Sequence, residues 1–252
     1  MTTQRTDPFT GLATVYHSAG FAGYGVALAE ELHSAAFDLN WTGRTLIDFG
    51  CGTGDVAITF GGRQFRVLGV DNSASMLHAA EAQAVQHHMD VRFMHGDMRT
   101  FTSPVKFDMA TCLGNTLNYL SNLRDIEAMF KAVHDTLLPG KLFFFDVRTI
   151  QGMADSSGER LLADQDDVLV IARSTMNYET LALTVQYSIF HDGETGWQRI
   201  EEAHTLRGYP VSALNKLLQG AGFKLVKTFT PQHCPLDARR AEDMLVFVAV
   251  RD

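Results

Sequence analysis

The 252-residue sequence predicts an α/β fold, with a seven-stranded, mostly parallel sheet, helices on both faces and an antiparallel β insert after the fifth strand. Three observations predict it. From residue 44 to residue 147, short continuous apolar runs alternate with helical patterns, as expected of strands buried on both faces and covered by the helices between them. Residues 167 to 207 switch to a period of two, the pattern of strands with one wet face. Hydrophobic residues make up 46% of the chain and charged ones 20%, enough to build a sizeable core.

Taken in order, residues 14 to 37 read as a helix with an apolar stripe through Val26, Ala27, Leu28 and Leu32. "RTLIDFG" (44 to 50) is the first strand, and "DVAITF" a helical segment stopped by Gly61 and Gly62. "FRVLGVD" (65 to 71) is the second strand. "SASMLHAAEAQAVQHH" (73 to 88) is a helix with Ser73 as its N-cap. "VRFMHGD" (91 to 97) and "KFDMATCLG" (106 to 114) are the third and fourth strands. "LRDIEAMFKAVHDTLLPG" (123 to 140) is a helix ended by Pro139 and Gly140, and "KLFFFDV" (141 to 147) is the fifth strand. In "LALTVQYSIF", Leu181, Leu183, Val185, Tyr187 and Ile189 face one way and Thr184, Gln186 and Ser188 the other. With turn signals near "NYET" and "HDGETG", this predicts a three-stranded antiparallel insert. "SALNKLLQGAGF" (212 to 223) is again helical. "KLVKTF" and "DMLVFVAVR" have no helix between them and pair antiparallel at one sheet edge. The expected division is an N-terminal helical lid (1–43), a ligand-binding α/β domain (44–150 and 208–252) and a substrate-side insert (151–207).

Composition narrows the function classes. A net charge of −8 disfavours a broad phosphate-binding surface, and no run of basic and aromatic residues suggests nucleic acid. No stretch approaches the roughly twenty apolar residues of a membrane span, and the N-terminus shows no export signal. Cys51, Cys112 and Cys234, an odd number at scattered spacings, predict free thiols and a cytoplasmic location.

The chemistry concentrates in "LIDFGCGTGDVAI", residues 46 to 58, where three glycines follow the first strand and Asp48 and Asp55 flank them. Glycines there cost stability unless the backbone turns sharply or a ligand comes close. A tight turn alone is one reading. A dinucleotide is another, since "GTGDVA" satisfies G-x-G-x-x-A and Asp71 lies about twenty residues on. An acid at the loop, however, repels a pyrophosphate. A ligand with a positive centre suits the loop better. Its ammonium would meet the carbonyls of the Gly50, Cys51, Gly52 turn, with Asp48 orienting them.

"DFGCGTG" resembles motif I of the class I S-adenosylmethionine-dependent methyltransferases. "VLGVDNSASML", "HGDMRTF", "FDMATCLGNTLNYL" and "LLPGKLFFFDV" resemble the later motifs, in order and each near an expected strand end; Lys141 departs from the second glycine common after Pro-Gly. The similarity is close over residues 14 to 147, and "EEAHTLRGYPVSALNKLLQGAGF" extends it to the C-terminal sheet edge. It implies a Rossmann-like methyltransferase fold of the small-molecule, methyltransferase domain 25-like type, similar to aminosugar N-methyltransferases and glycine N-methyltransferase-like enzymes. It implies S-adenosylmethionine as cofactor and S-adenosylhomocysteine as product. Asp71, with Asn72 beside it, would take the ribose hydroxyls. Met76 and Met98 would cover the two adenine faces, and Asp97 would accept from the adenine amino group. Leu113 and Asn118, with Gly114, Asn115 and Tyr119, belong to the segment that faces the methyl group, and Tyr16 and Tyr24 would close over the cofactor.

The acceptor is expected to be a small molecule, an amine or an electron-rich aromatic such as an indole or phenol, methylated on N, C or O in specialised metabolism. "CLGN" at the fourth strand counts against enzymes that modify exocyclic amines of nucleic acids, and no carboxylate set there predicts a metal. His191 and His204 on the insert are the candidate bases, assisted by Tyr16 or Tyr24. The insert would roof the pocket or build a homodimer contact. An NAD(P)-dependent oxidoreductase and a non-catalytic cofactor-binding module are the competing readings.

Overall fold

The computed structural model describes residues 9–39, 41–193 and 196–252. The first eight residues and residue 40 of the expected lid, and residues 194 and 195 of the "HDGETG" turn, lie outside the described residues. The main sheet contains β1 (Thr45–Phe49), β2 (Arg66–Asp71), β3 (Arg92–His95), β4 (Phe107–Cys112), β5 (Leu137–Arg148), β10 (Phe223–Phe229) and β11 (Met244–Arg251). Its order is β10-β11-β5-β4-β1-β2-β3. The five strands up to β5 run parallel, while β11 pairs antiparallel with both β5 and β10. From β1 the chain moves outward through β2 and β3, then returns to place β4 on the other side of β1. The order therefore reverses between β1 and β4, where open α/β sheets bind ligands beyond the strands' carboxyl ends.

Both faces of this sheet are buried, and the strands show it residue by residue. Phe143 and Phe145 join the core under α5 (Leu123–Thr136) and α7 (Val211–Gly220), whereas Leu142 and Phe144 join the core under α2 (Ala22–Asp38) and α3 (Asp55–Gly62). In β11, Phe247 and Ala249 alternate with Val246 and Val248 in the same way. At roughly 1.5–3 kcal/mol per buried large side chain, these two layers dominate the stability of the fold. The helix α4 (Ala74–Gln86) covers the β2 end, and the Ser73 side chain accepts from the Met76 amide at 3.1 Å as its N-cap.

Three elements differ from the sequence reading. The first helix is two, α1 (Thr10–Val15) and α2, separated by a turn in which Gly20 takes φ 83°. The helix α5 stops at Thr136, and Pro139 and Gly140 lie inside β5. Leu137 is already extended and buried against Phe107, and Pro139 biases the residue before it away from helix. A register shift opposite Phe107 and Met109 accommodates the Pro-Gly pair. The insert has four strands, β6 (Gly158–Asp164), β7 (Val168–Asn177), β8 (Ala182–Gly193) and β9 (Gly196–Arg207), after the short helix α6 (Ile150–Asp155). The unforeseen β6 is an edge strand, "GERLLAD", with Ala163 its one fully buried residue, so charge hides its alternation.

The insert's inner face follows the expected alternation. Leu183, Val185, Tyr187 and Ile189 are buried together with Val168, Val170 and Ala172, and they pack on Leu12 and Val15 of α1 and on Met153. This third core holds the insert and α1 over the carboxyl ends of the main sheet.

Candidate active site

Beyond β1 the backbone turns through Gly50 and Gly52, at φ 67° and 54°, a left-handed region that disfavours any side chain. No atom lies within 4 Å of the position a Gly52 Cβ would take, and Gly52 lines a cavity of about 420 Å³. A bare stretch of backbone thus faces the cavity. Asp71, at the end of β2, ties this turn down: its Oδ2 accepts from the Gly52 amide and its Oδ1 from the Ser73 amide, both at 2.8 Å.

Asp48 is buried beneath the turn. Its Oδ1 accepts from the Thr111 hydroxyl at 2.6 Å, and its Oδ2 has no hydrogen-bond partner. Burial, aided by the neighbouring Asp71 and Asp55 carboxylates, pushes its carboxyl up to about 7. An orphaned carboxylate oxygen beside bare glycine backbone fits the ammonium end of S-adenosylmethionine. It does not fit a diphosphate.

One wall of the cavity carries Asp48, Gly50, Cys51, Gly52, Asp71 and Asn72, followed by Met76, Asp97, Met98 and Leu113. These expected cofactor positions are brought together at the ends of β1 to β4. Burial pushes the Cys51 thiol up, so it stays protonated. Asp97 is engaged by Arg99, whose Nε lies 2.9 Å from Oδ1, and that pairing holds the carboxyl below the usual range. Tyr24 also reaches this wall, but its hydroxyl donates to Asp146 Oδ2 at 2.5 Å. Asp146 is fully buried, is raised to about 6 by that burial, and also accepts from the Gly114 and Asn115 amides. Tyr24 and Asp146 therefore shape the turn after β4.

Another part of the lining is aromatic. Phe9, Tyr16, Phe21, Tyr119 and Tyr187 line it with Asp237. Burial and the surrounding carboxylates push the Tyr16, Tyr119 and Tyr187 phenols up, so each remains a hydrogen-bond donor. The structure does not bring the other sequence candidates to this surface. Asn118 is spent on the scaffold: its amide nitrogen donates to the Arg148 and Arg207 carbonyls, and its oxygen accepts from the Arg148 amide at 2.8 Å. His191 pairs with Val168 and Gln198 toward the far end of β8 and is not among the lining residues. His204 is buried behind the wall, against the rings of Phe9, Tyr119 and Tyr187. Its Nε2 lies 2.7 Å from Glu202 Oε1, and Glu202 Oε2 accepts from the Gly11 amide at 2.6 Å. This pair fastens α1 to the insert. Among the described residues, no group of three or more His, Cys, Asp or Glu is placed to hold a metal.

Sequence reasoning missed Phe9, Phe21, Arg99 and Asp237. Asp237 had one signal. Residues 230–243 form a long connection between two antiparallel strands, and such loops are usually functional.

Asp48 leads to a test. Its value in the fold lies above the unfolded carboxylate value of about 4. Its contribution to stability is therefore full below about pH 4 and is lost as pH rises through about 7. An ammonium beside Oδ2 reverses this by favouring the ionised form. S-adenosylhomocysteine, which keeps that ammonium, should bind about tenfold more tightly at pH 8 than at pH 6. At pH 6 it should release close to one proton. Calorimetry in two buffers of different ionisation enthalpy measures the release, and Asp48→Asn should remove it.

A family model described as a methyltransferase domain matches residues 46–140. A Bacillus subtilis (strain 168) protein named as a methyltransferase, YqeM, is 31% identical over 182 residues, 71% of this chain and 73% of that one. A Saccharopolyspora spinosa enzyme, dTDP-4-amino-2,3,4,6-tetradeoxy-D-glucose N,N-dimethyltransferase, is 24% identical over 190 residues, 72% of each chain. Among solved structures, CalS10 with S-adenosylmethionine bound, an amino pentose methyltransferase from Micromonospora echinaspora, aligns with a TM-score of 0.72 at 23% identity over 95% of each chain.

Proposed function

The chain belongs to the class I S-adenosylmethionine-dependent methyltransferases, and we propose that within them it methylates a small molecule on nitrogen, in specialised metabolism. The single observation that carries this is the composition of the cavity: a glycine and carboxylate floor suited to a cationic nucleoside, in one chamber with aromatic side chains flanking α1, from the turn after β4 and from the insert. When bound, S-adenosylmethionine supplies a methyl group on a sulfonium, open to in-line displacement by a nucleophile. The protein's part is alignment, which can contribute roughly 7–11 kcal/mol.

In this reading Asp48, the Gly50 to Gly52 turn and Asp71 hold the amino acid and ribose ends. Met76, Asp97 and Met98 hold the base. Tyr16, Tyr119 and Tyr187 exclude water and pack on the acceptor. Among the described residues no histidine lines the cavity, so the proton an amine must give up is expected to leave with solvent. Nitrogen is favoured over carbon and oxygen because the Saccharopolyspora spinosa relative and CalS10 are named for amino acceptors.

The test is incubation with isotopically labelled S-adenosylmethionine and a panel of amines, phenols and indoles, followed by mass analysis. The expected result is a one-methyl increment on an amine. An increment on a phenol or indole instead overturns nitrogen as the acceptor atom. Cofactor binding without any methylated product supports a binding module. Stabilisation by NADH and not by S-adenosylhomocysteine overturns the whole reading.

A further inference from the structure

The cavity is lopsided in charge. Among the described residues its lining holds six carboxylates, Asp48, Asp55, Asp71, Asp97, Asp125 and Asp237, against one guanidinium, Arg99. That guanidinium is already shared between Asp97 and Asp125. Asp48 and Asp71 belong to the cofactor floor, and Asp55 is held by His17 at 2.8 Å and by the Thr53 hydroxyl at 2.6 Å. Asp237 stands apart on the aromatic wall. The buried Arg148 grips its Oδ1 from behind, and its Oδ2 has one long contact, 3.5 Å from the Tyr187 hydroxyl.

We propose that the methyl acceptor is an amine bound as its ammonium and carrying no phosphate, selected by a subsite in which Asp237 faces the cavity among Tyr16, Tyr119 and Tyr187. The ammonium gives one proton to solvent, and the lone pair so freed attacks the methyl carbon as the carbon–sulfur bond breaks, leaving S-adenosylhomocysteine and the methylated amine. The proposal rests on the reading of the chain as a small-amine methyltransferase and names the substrate class. An ammonium gains a charge-assisted hydrogen bond from Asp237 and the negative faces of the surrounding rings. A hydroxyl in the same place gains only an ordinary hydrogen bond. A phosphate brings like charge into an acidic chamber whose single lining cation is already committed. Arg148 is fully buried and not among the lining residues; its Nη2 is taken up by Asp237, while its Nε and Nη1 have no hydrogen-bond partner and lie out of contact with solvent. The Saccharopolyspora spinosa relative is named for a nucleotide-linked amino sugar. This chain's wall is built for an amine without that appendage.

The experiment uses the full chain saturated with S-adenosylhomocysteine and calorimetric titration with matched compounds: tyramine, its alcohol counterpart tyrosol, O-phosphotyramine, and short alkylamines with their alcohols. Amines should bind on the order of tenfold or more tighter than the matched alcohols, and O-phosphotyramine should bind most weakly. Asp237→Asn should bring amine affinity down to that of the alcohols while S-adenosylhomocysteine affinity stays unchanged. Should Asp237→Asn fail to fold because Arg148 loses its counter-ion, Tyr119→Leu keeps the charges and should lower amine affinity severalfold. Equal binding of amine and alcohol, tightest binding by the phosphate compound, or no amine binding across the panel overturns the proposal. Loss of S-adenosylhomocysteine binding in the parent chain points instead to failure of the underlying methyltransferase reading.

Discussion

Replacing Asp71 with alanine is expected to lower S-adenosylhomocysteine affinity a hundredfold or more and to erase the thermal shift that this ligand produces. Two losses combine. The ribose hydroxyls lose a carboxylate acceptor, worth about 1.5–3 kcal/mol for each hydrogen bond to a charged group. Two such bonds amount to about 3–6 kcal/mol, or roughly two to four decades in affinity. The second loss is internal. Asp71 holds the Gly52 and Ser73 amides at 2.8 Å, so its removal releases the turn that presents bare backbone to the cavity. The variant should therefore also melt earlier without ligand. Asp71→Asn separates the two losses: it keeps an acceptor for Gly52 and should recover most of the unliganded melting temperature, but little of the affinity. Calorimetric affinity within threefold of the parent for Asp71→Ala would remove Asp71 from the cofactor site.

The grouping of the proposed cofactor residues around one cavity was legible because they lie at strand ends. Buried parallel strands are continuous apolar runs, so their carboxyl ends can be placed within a residue or two, and Asp48, Asp71 and Asp97 sit there. The acceptor wall was not legible in the same way. Tyr16 and Tyr187 could be named from the lid and the insert, but Asp237 comes from a connection with no periodicity, between β10 and β11. Asn118, His191 and His204 show a different limit. Residue type suggested chemistry, while backbone carbonyls for Asn118 and the Glu202 carboxylate for His204 claim these side chains for the scaffold. Strand register decides His191, because a period of two gives the face of a strand but not how far along it the cavity extends. The break between α1 and α2 escaped notice because Gly20 lies in an otherwise helical run, where one glycine costs only about 1 kcal/mol.

Gly50→Ala and Gly52→Ala should have opposite profiles, although both glycines have positive φ in the same turn. A Cβ at Gly50 would lie 2.1 Å from Thr116 Cγ2 and 3.0 Å from its Oγ1. The left-handed backbone costs an alanine about 1–2 kcal/mol, and overpacking adds about 1–3 kcal/mol. The sum, about 2–5 kcal/mol, is a large part of ordinary domain stability. It corresponds to a melting-temperature fall of roughly 5–20 °C. Thr116 opens the 3-10 turn Thr116–Tyr119 and donates to the Leu113 carbonyl at 2.6 Å. Pushing it aside also moves Tyr119 on the acceptor wall. Gly50→Ala with Thr116→Ser removes the nearest methyl and should recover the overpacking part but not the left-handed part, a non-additivity that a double-mutant cycle reads directly. At Gly52 a Cβ meets no protein atom within 4 Å. Gly52→Ala should therefore melt only a few degrees lower, yet it places a methyl group in the cavity where the proposed cofactor would lie on the backbone. Its S-adenosylhomocysteine affinity should fall by about tenfold or more, the scale of a 1–3 kcal/mol steric cost. A Gly52→Ala variant that binds the ligand as the parent does would mean that the bare backbone serves the turn alone.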